Sequence, residues 1–126
     1  MTLLVVALGG AAGALSRYWA IGWVQALVGI GFPWGTLAVN VTGSLALGFT
    51  LVWLQSMAPS AELRDLIAVG FLGSFTTFST FSWETLTLIR EGAWERAGAY
   101  TLASVAICVL ACAVGAALAT ALWGRR

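Results

Sequence analysis

Histidine and lysine are absent from this 126-residue chain, and only 9% of its residues are charged. Soluble domains carry about 25% charged residues, so an ordinary soluble protein is excluded. The sequence has no histidine, no nucleophile beside a plausible base and no cluster of metal-ligating residues, which argues against an enzyme. A formal net charge of +1 provides no basic surface for nucleic acid, so a nucleic-acid partner is not expected either.

Cysteine is also scarce. Cys108 and Cys112 lie four residues apart on one face of a predicted helix, where straight-helix geometry does not favour a disulfide. We interpret both as small apolar packing residues, unless they line a pathway.

Apolar residues make up 60% of the chain. A membrane-spanning helix needs about 20 mostly apolar residues. The N-terminus lacks the positive region of a signal peptide, so the first apolar run is expected to stay in the mature protein. The sequence therefore predicts an all-α membrane protein, a single domain over 1–126, with four transmembrane helices at about 3–30, 36–54, 63–89 and 97–123. Ser60 is expected to cap the third of these helices.

The charges do not specify an orientation. With four spans, one side of the membrane holds Arg64, Arg125 and Arg126, and the other holds Arg90 and Arg96. Because an excess of positive charge normally sets the cytoplasmic side, this balance leaves three interpretations. A weak preference is sufficient, both orientations are made and used, or one loop is miscounted.

Small residues recur at four-residue spacing in every predicted span. Such pairs let helix backbones approach closely. Four short helices can hardly enclose a pore as well as bury these faces, so we expect an oligomer, most simply a dimer. The pairs are Gly9 and Gly13, Ser44 and Gly48, Gly70 and Ser74, and Ala111 and Gly115.

The stretch 70–84 is unusual for a membrane span, because phenyl rings alternate there with hydroxyl side chains. An uninterrupted helix would point some hydroxyls at lipid, so a broken helix is expected, since irregular backbone is tolerated where it lines a cavity. A break near Gly73 and Thr76 frees backbone carbonyls, which either accept local donors or hold a hard cation such as Na⁺. The phenylalanine stripe is either packing or a set of ring edges, which carry partial positive charge and favour an anion.

Four further polar features each allow two interpretations. Arg17 lies either at the interface or at the base of a water-filled vestibule that attracts anions. Asn40 either joins two helices by a hydrogen bond or donates to a dehydrated anion. Glu84 is either interfacial or buried. A strip on the fourth helix bonds either to a passing ion or to neighbouring helices, and comprises Tyr100, Ser104, Cys108 and Cys112.

The run GSFTTFSTFSWE at 73–84 closely resembles the signature of the small bacterial fluoride channels of the CrcB/Fluc family. The resemblance covers the whole chain, including the GALSRY run that ends at Tyr18 and the spacing from Gly35 and Thr36 to Asn40. It implies an antiparallel, dual-topology homodimer in the bacterial inner membrane, with two passive fluoride pathways that select against chloride.

By position in the family signature, Phe78 and Phe81 resemble the ring pair whose edges meet fluoride, and Asn40 resembles the amide donor beside them. Ser79 and Thr80 would supply polar groups at the break.

The family also places a polar track at Tyr100 and Ser104 and a vestibule arginine at Arg17. Gly73 and Thr76 resemble the positions whose backbone carbonyls, from both subunits, hold a structural Na⁺ at the dimer centre.

Two residues depart from the family pattern. Cys108 stands where a hydroxyl is expected, and a thiol is a weaker donor. Ser74 replaces a glycine that often follows Gly73, so the backbone at the break can differ.

The sequence thus predicts a fluoride channel that lets the ion leave the cytoplasm down its electrochemical gradient. The alternative is a dual-topology transporter of the small multidrug type. Such a transporter needs a carboxylate in its first helix, where this chain has Arg17. A structural assembly factor is the third hypothesis, and it predicts that the Phe and Asn positions matter only for stability.

Overall fold

The computed structural model describes residues 2–124 and contains four helical spans. The first, second and fourth spans are single helices, at Thr2–Val28, Trp34–Met57 and Trp94–Trp123. All four are long and apolar enough to cross a membrane, the third over Ala61–Arg90, which confirms the four predicted spans. Met1 and two of the charges used to weigh orientation, Arg125 and Arg126, lie outside the described residues.

The third span is made of several segments. It begins with the α-helix Ala61–Arg64, continues as the π-helix Asp65–Leu72 and ends its first half in the turn Gly73–Phe75. The α-helix Phe78–Arg90 forms the second half. The predicted cap is confirmed, since the Leu63 N–H donates to the Ser60 hydroxyl at 3.3 Å.

The backbone between these halves is extended. Thr76 has φ −83° and ψ 158°, and Thr77 has φ −149° and ψ 118°. Neither pair of angles is helical, so the helical conformation is not continuous through these two residues.

Glycines bring the spans into backbone contact along two seams. Between the second and fourth spans, a methyl group on Gly48 would collide with the Cys112 carbonyl, and one on Gly115 with the Leu45 carbonyl. Between the first and third spans, a methyl on Gly13 would collide with the Phe71 carbonyl. The close approach predicted from the small-residue spacing is confirmed at these glycines.

A cluster of buried apolar side chains lies where the second, third and fourth spans meet. This core comprises Leu37, Phe81, Leu88, Ala97 and Tyr100. It lies directly beside the second half of the third span and holds that helix in place.

Candidate functional site

The extended residues at 76–77 leave backbone carbonyls without their helical donors. In a continuous helix the Gly73 carbonyl would accept from the Thr77 N–H, but that N–H donates to the Asn40 side-chain oxygen at 2.8 Å. The Thr76 carbonyl would accept from the Thr80 N–H, which donates instead to the Thr77 hydroxyl at 3.2 Å. Both carbonyls predicted to bind a cation have therefore lost their helical N–H donors.

Asn40, on the second span, forms two hydrogen bonds with the extended backbone of the third span. Its Oδ1 accepts from the Thr77 N–H, and its Nδ2 donates to the Thr77 carbonyl at 3.0 Å. The interhelical hydrogen bond considered for this amide is therefore present. A primary amide has two N–H donors, and the contact with Thr77 uses only one of them. The hydrogen bonds of the described residues therefore use one of the two donors.

Hydroxyls cap the helix that follows. The Thr77 Oγ1 accepts from the Thr80 N–H and donates to the Thr80 Oγ1 at 3.0 Å. The Ser79 Oγ lies 3.3 Å from the Thr77 Oγ1. Ser79 and Thr80 thus lie at the interruption. Their hydroxyls bond to the hydroxyl of Thr77, which is the N-cap of the helix that begins at Phe78.

Arg17 reaches the interruption from the first span. Its Nη1 donates to the Thr76 carbonyl at 3.2 Å. The residue also lines an open cavity of about 880 Å³ together with Thr80, Trp19 and Trp23. Arg17 therefore borders a space large enough for water, and its role as a vestibule residue stays a prediction.

A second cavity, of about 350 Å³, lies between the second, third and fourth spans. Four predicted site residues line it, namely Asn40, Phe78, Phe81 and Ser104. The Ser104 hydroxyl is buried and has no hydrogen-bond partner among the described residues. A buried hydroxyl without a partner costs free energy, so this cavity suits a ligand that can bond to it.

The aromatic side chains form a continuous row along this cavity. The Phe78 and Phe81 ring centroids lie 5.3 Å apart with planes inclined at 46°, and the Phe81 and Tyr100 centroids lie 5.2 Å apart at 54°. Tilted rings present edges as well as faces, and the edges carry partial positive charge. Phe81 is buried, whereas Phe78 is 76% exposed on the protomer surface.

Glu84 lies at the Tyr100 end of this row. Its Oε1 accepts from the Thr36 hydroxyl at 2.8 Å, and its Oε2 accepts from the Tyr100 hydroxyl at 2.7 Å. Thr36 and Tyr100 are both fully buried. The carboxylate therefore points into the helix bundle, which agrees with the buried interpretation rather than the interfacial one.

Two polar stripes, on the second and fourth spans, contribute residues to the cavity. One stripe lies on the fourth span, where Tyr100, Ser104 and Cys108 are four residues apart. The other lies on the second span and was missed by sequence reasoning, although Thr36, Asn40 and Ser44 have the same spacing. That spacing was the available signal, but Ser44 was assigned to close packing. The cavity contains Ser44 and Cys108 as well as Asn40 and Ser104.

The comparisons with known proteins agree on one family. The sequence model of the family described as "CrcB-like protein, Camphor Resistance (CrcB)" matches residues 4–116. A fluoride-specific ion channel, FluC, from Hahella chejuensis is 50% identical over 117 residues, which cover 92% of this chain and 92% of the relative. A FluC from Magnetococcus marinus is 50% identical over 117 residues, which cover 91% of this chain and 94% of that protein. A FluC from Methylococcus capsulatus is 48% identical over 120 residues, which cover 94% of this chain but only 53% of the relative.

Proposed function

The chain belongs to the CrcB family, and from this membership and the site geometry we propose that it is a passive, fluoride-selective ion channel. It is a multi-pass integral membrane protein, which in bacteria lies in the inner membrane. It is not an enzyme. In this role it lets fluoride leave the cytoplasm down its electrochemical gradient. The multidrug-transporter alternative is not supported, because the family is a different one.

The proposal rests above all on one cavity, which ring edges and unused hydrogen-bond donors line together. Phe78 and Phe81 supply the edges, Asn40 supplies the second amide N–H, and Ser104 supplies an unpartnered hydroxyl. Together these groups replace part of an anion's hydration shell without a formal positive charge in the cavity. Such binding is weak enough to release the ion, as conduction requires.

We assign the polar stripe on the fourth span to the same pathway. Fluoride would move from the vestibule side near Arg17 to the ring pair, and then along Ser104 towards Tyr100. At that end the Thr36 and Tyr100 hydroxyls donate to Glu84. Since a carboxylate repels an anion, fluoride would take over these hydroxyls only as Glu84 moves away.

We further propose that the working unit is an antiparallel homodimer with two pathways. Gly73 and Phe78 are exposed on the protomer surface, beside the carbonyls that have lost their helical donors. The Thr76 carbonyl accepts from Arg17, whereas the Gly73 carbonyl has lost its helical donor, and in lipid an unsatisfied backbone group costs several kcal/mol, which favours a protein partner at this depth. A second copy in the opposite orientation would meet the same need on both protomers. The nearly even charge count agrees with dual topology.

A structural Na⁺ at the dimer centre fits the same residues. The carbonyls of Gly73 and Thr76, whose N–H donors are diverted to Asn40 and Thr77, would hold it. Carbonyl oxygens of an interrupted membrane helix are ligands that suit Na⁺. Its positive charge would offset the partial negative charge of four carbonyls, two from each subunit. Arg17 already bonds to the Thr76 carbonyl, so the guanidinium and Na⁺ would share or exchange this ligand.

Replacement of one ring tests the proposal. Phe81→Ile removes the ring edge but keeps an apolar side chain, and we expect fluoride efflux from liposomes to fall at least about tenfold while the dimer stays assembled. Phe49→Ile is the matched control, because Phe49 packs against Trp123, and neither ring lines the Phe81 cavity. Unchanged efflux in Phe81→Ile, measured with a fluoride electrode, would remove this ring from the pathway.

A further inference from the structure

The cavity that holds the ring pair also contains a thiol. Cys108 lines it one helical turn beyond Ser104, on the same face of the fourth span. Both cysteines are free thiols with partly exposed side chains, but only Cys108 is among the residues that line this cavity. We propose that Cys108 and Ser104 form a binding site for a soft monovalent cation, Ag⁺ or Cu⁺, which blocks the pathway when occupied.

Ser104 gives the second, independent indication of a ligand. Its side chain is 8% exposed, its hydroxyl lacks a partner among residues 2–124, and it lines the cavity. The Ser44 hydroxyl lines the same space from the second span. A cation bound to the Cys108 sulfur would therefore lie in a space that hydroxyl oxygens line from two helices.

The net charge of the occupied site favours a monovalent cation over a divalent one. Thiolate sulfur is a soft ligand that prefers soft metal ions. Ag⁺ replaces the thiol proton, as Cys108–SH + Ag⁺ gives Cys108–S–Ag + H⁺, with the proton released to the buffer and no change of oxidation state. The occupied site stays neutral, which matters in an apolar cavity where an unpaired charge is costly. A divalent ion would leave a net positive charge there.

Hard and borderline divalent ions are disfavoured for a second reason. Within the part of the chain that the structure describes, no group of three or more histidine, cysteine or acidic side chains is arranged to hold a metal. Structural zinc needs about four such ligands. Zn²⁺ is therefore the matched negative control for Ag⁺.

Two measurements on the full-length protein test this site. The block of flux rests on the proposed fluoride channel, whereas binding itself does not. For binding, the purified protein is alkylated with N-ethylmaleimide with and without Ag⁺, and the Cys108 adduct is followed by mass spectrometry. For block, fluoride efflux from liposomes is recorded in chloride-free buffer, which keeps silver in solution, and each variant is compared with its own untreated flux.

The expected pattern separates the two cysteines. Ag⁺ should slow alkylation of Cys108 at least about tenfold and reduce fluoride efflux similarly in the unmodified chain and in Cys112→Ser, whereas Zn²⁺ should do neither. Efflux in Cys108→Ser should resist Ag⁺, and Ser104→Ala should need several-fold more Ag⁺ to protect Cys108.

Three results would overturn the inference. They are alkylation of Cys108 that Ag⁺ does not slow, a Ser104→Ala variant protected as well as the unmodified chain, and equal Ag⁺ block in Cys108→Ser. If the protein did not conduct fluoride at all, the alkylation experiment would still decide whether Ag⁺ binds, so failure of the site and failure of the channel proposal are distinguishable.

Discussion

At the scale of single residues, the site is built by redirecting a few hydrogen bonds. Asn40 bonds to both the N–H and the carbonyl of Thr77, so this N–H no longer donates to the Gly73 carbonyl, and the Thr77 hydroxyl replaces the Thr76 carbonyl as acceptor for the Thr80 N–H. Glu84 is held in a similar way by hydroxyls from two other spans. Each polar side chain therefore both satisfies a neighbour and fixes the geometry of the cavity.

Asn40→Asp tests the amide directly. The carboxylate keeps an acceptor for the Thr77 N–H but loses the donor for its carbonyl, and it places a negative charge beside the proposed anion path. A repulsion of more than about 1.4 kcal/mol lowers flux at least about tenfold, so we expect a folded protein with little fluoride efflux. The exposed amide of Gln55 provides the control Gln55→Glu, which should conduct normally. Efflux in Asn40→Asp equal to that of the control would contradict the role of the amide.

Tyr100→Phe tests the contact with the carboxylate. It removes the O–H that donates to Glu84 at 2.7 Å and leaves the ring that packs on Phe81. A lost hydrogen bond to a charged group costs about 1.5–3 kcal/mol, so the unfolding free energy in detergent micelles should fall by about that amount. Tyr18→Phe changes an exposed tyrosine and should have little effect. Equal destabilisation by both variants would mean that the Glu84 contact contributes nothing.

At the scale of elements, the interruption in the third span depends on how closely the second span approaches it. A methyl group on Gly43 would collide with the Thr76 side chain and contact the Phe75 ring. Glycine at this position therefore lets the second span lie against the extended backbone, close enough for Asn40 to bond to it. The polar contacts and the packing at 76–77 depend on each other.

Gly43→Ala should disturb this arrangement. Overpacking typically costs about 1–3 kcal/mol, so we expect a lower unfolding midpoint together with reduced fluoride efflux. Gly98→Ala is the matched control, since a methyl group there meets nothing within 4 Å. The control should leave stability unchanged or raise it slightly, because alanine favours helix over glycine. If the two variants behave alike, the close approach at Gly43 is unimportant.

Features of these elements could be predicted from the sequence where they depend on residues close together in the chain. Features that depend on residues far apart in the chain could not. The four spans depend on local hydrophobicity, and the cap at Ser60 depends on residues three positions apart, so both were predictable. The contact between Thr36 and Glu84 joins residues 48 positions apart, and hydrophobicity contains no information about it. The π-helix Asp65–Leu72 was also missed, because its apolar sequence gives no sign of the wider turns.

At the scale of the whole molecule, the protomer leaves the central features of the site on its surface. Phe78 and Gly73 are exposed, and the vestibule beside Arg17 is open. These positions lie in the middle of a span, where lipid cannot hydrogen-bond to backbone groups. The second copy proposed above would cover these groups, and the nearly balanced arginines agree with the opposite orientation proposed for it.

The proposed Na⁺ at the dimer centre predicts that assembly depends on the cation. Replacing Na⁺ by a large organic cation such as N-methyl-D-glucamine should weaken the dimer or lower its unfolding temperature, because the carbonyls of Gly73 and Thr76 lose a shared ligand. Crosslinking and thermal unfolding in matched buffers measure this. A dimer with the same stability in both buffers would argue against a structural Na⁺.

Selective conduction of fluoride can be measured in a single sample. Liposomes loaded with equal concentrations of fluoride and chloride are prepared with the purified protein, and the release of each ion is recorded from the same sample after the membrane potential is clamped. If the protein is a fluoride-selective channel, fluoride is released rapidly while chloride stays inside the liposomes. Release of chloride as fast as fluoride, or of neither ion, would contradict it.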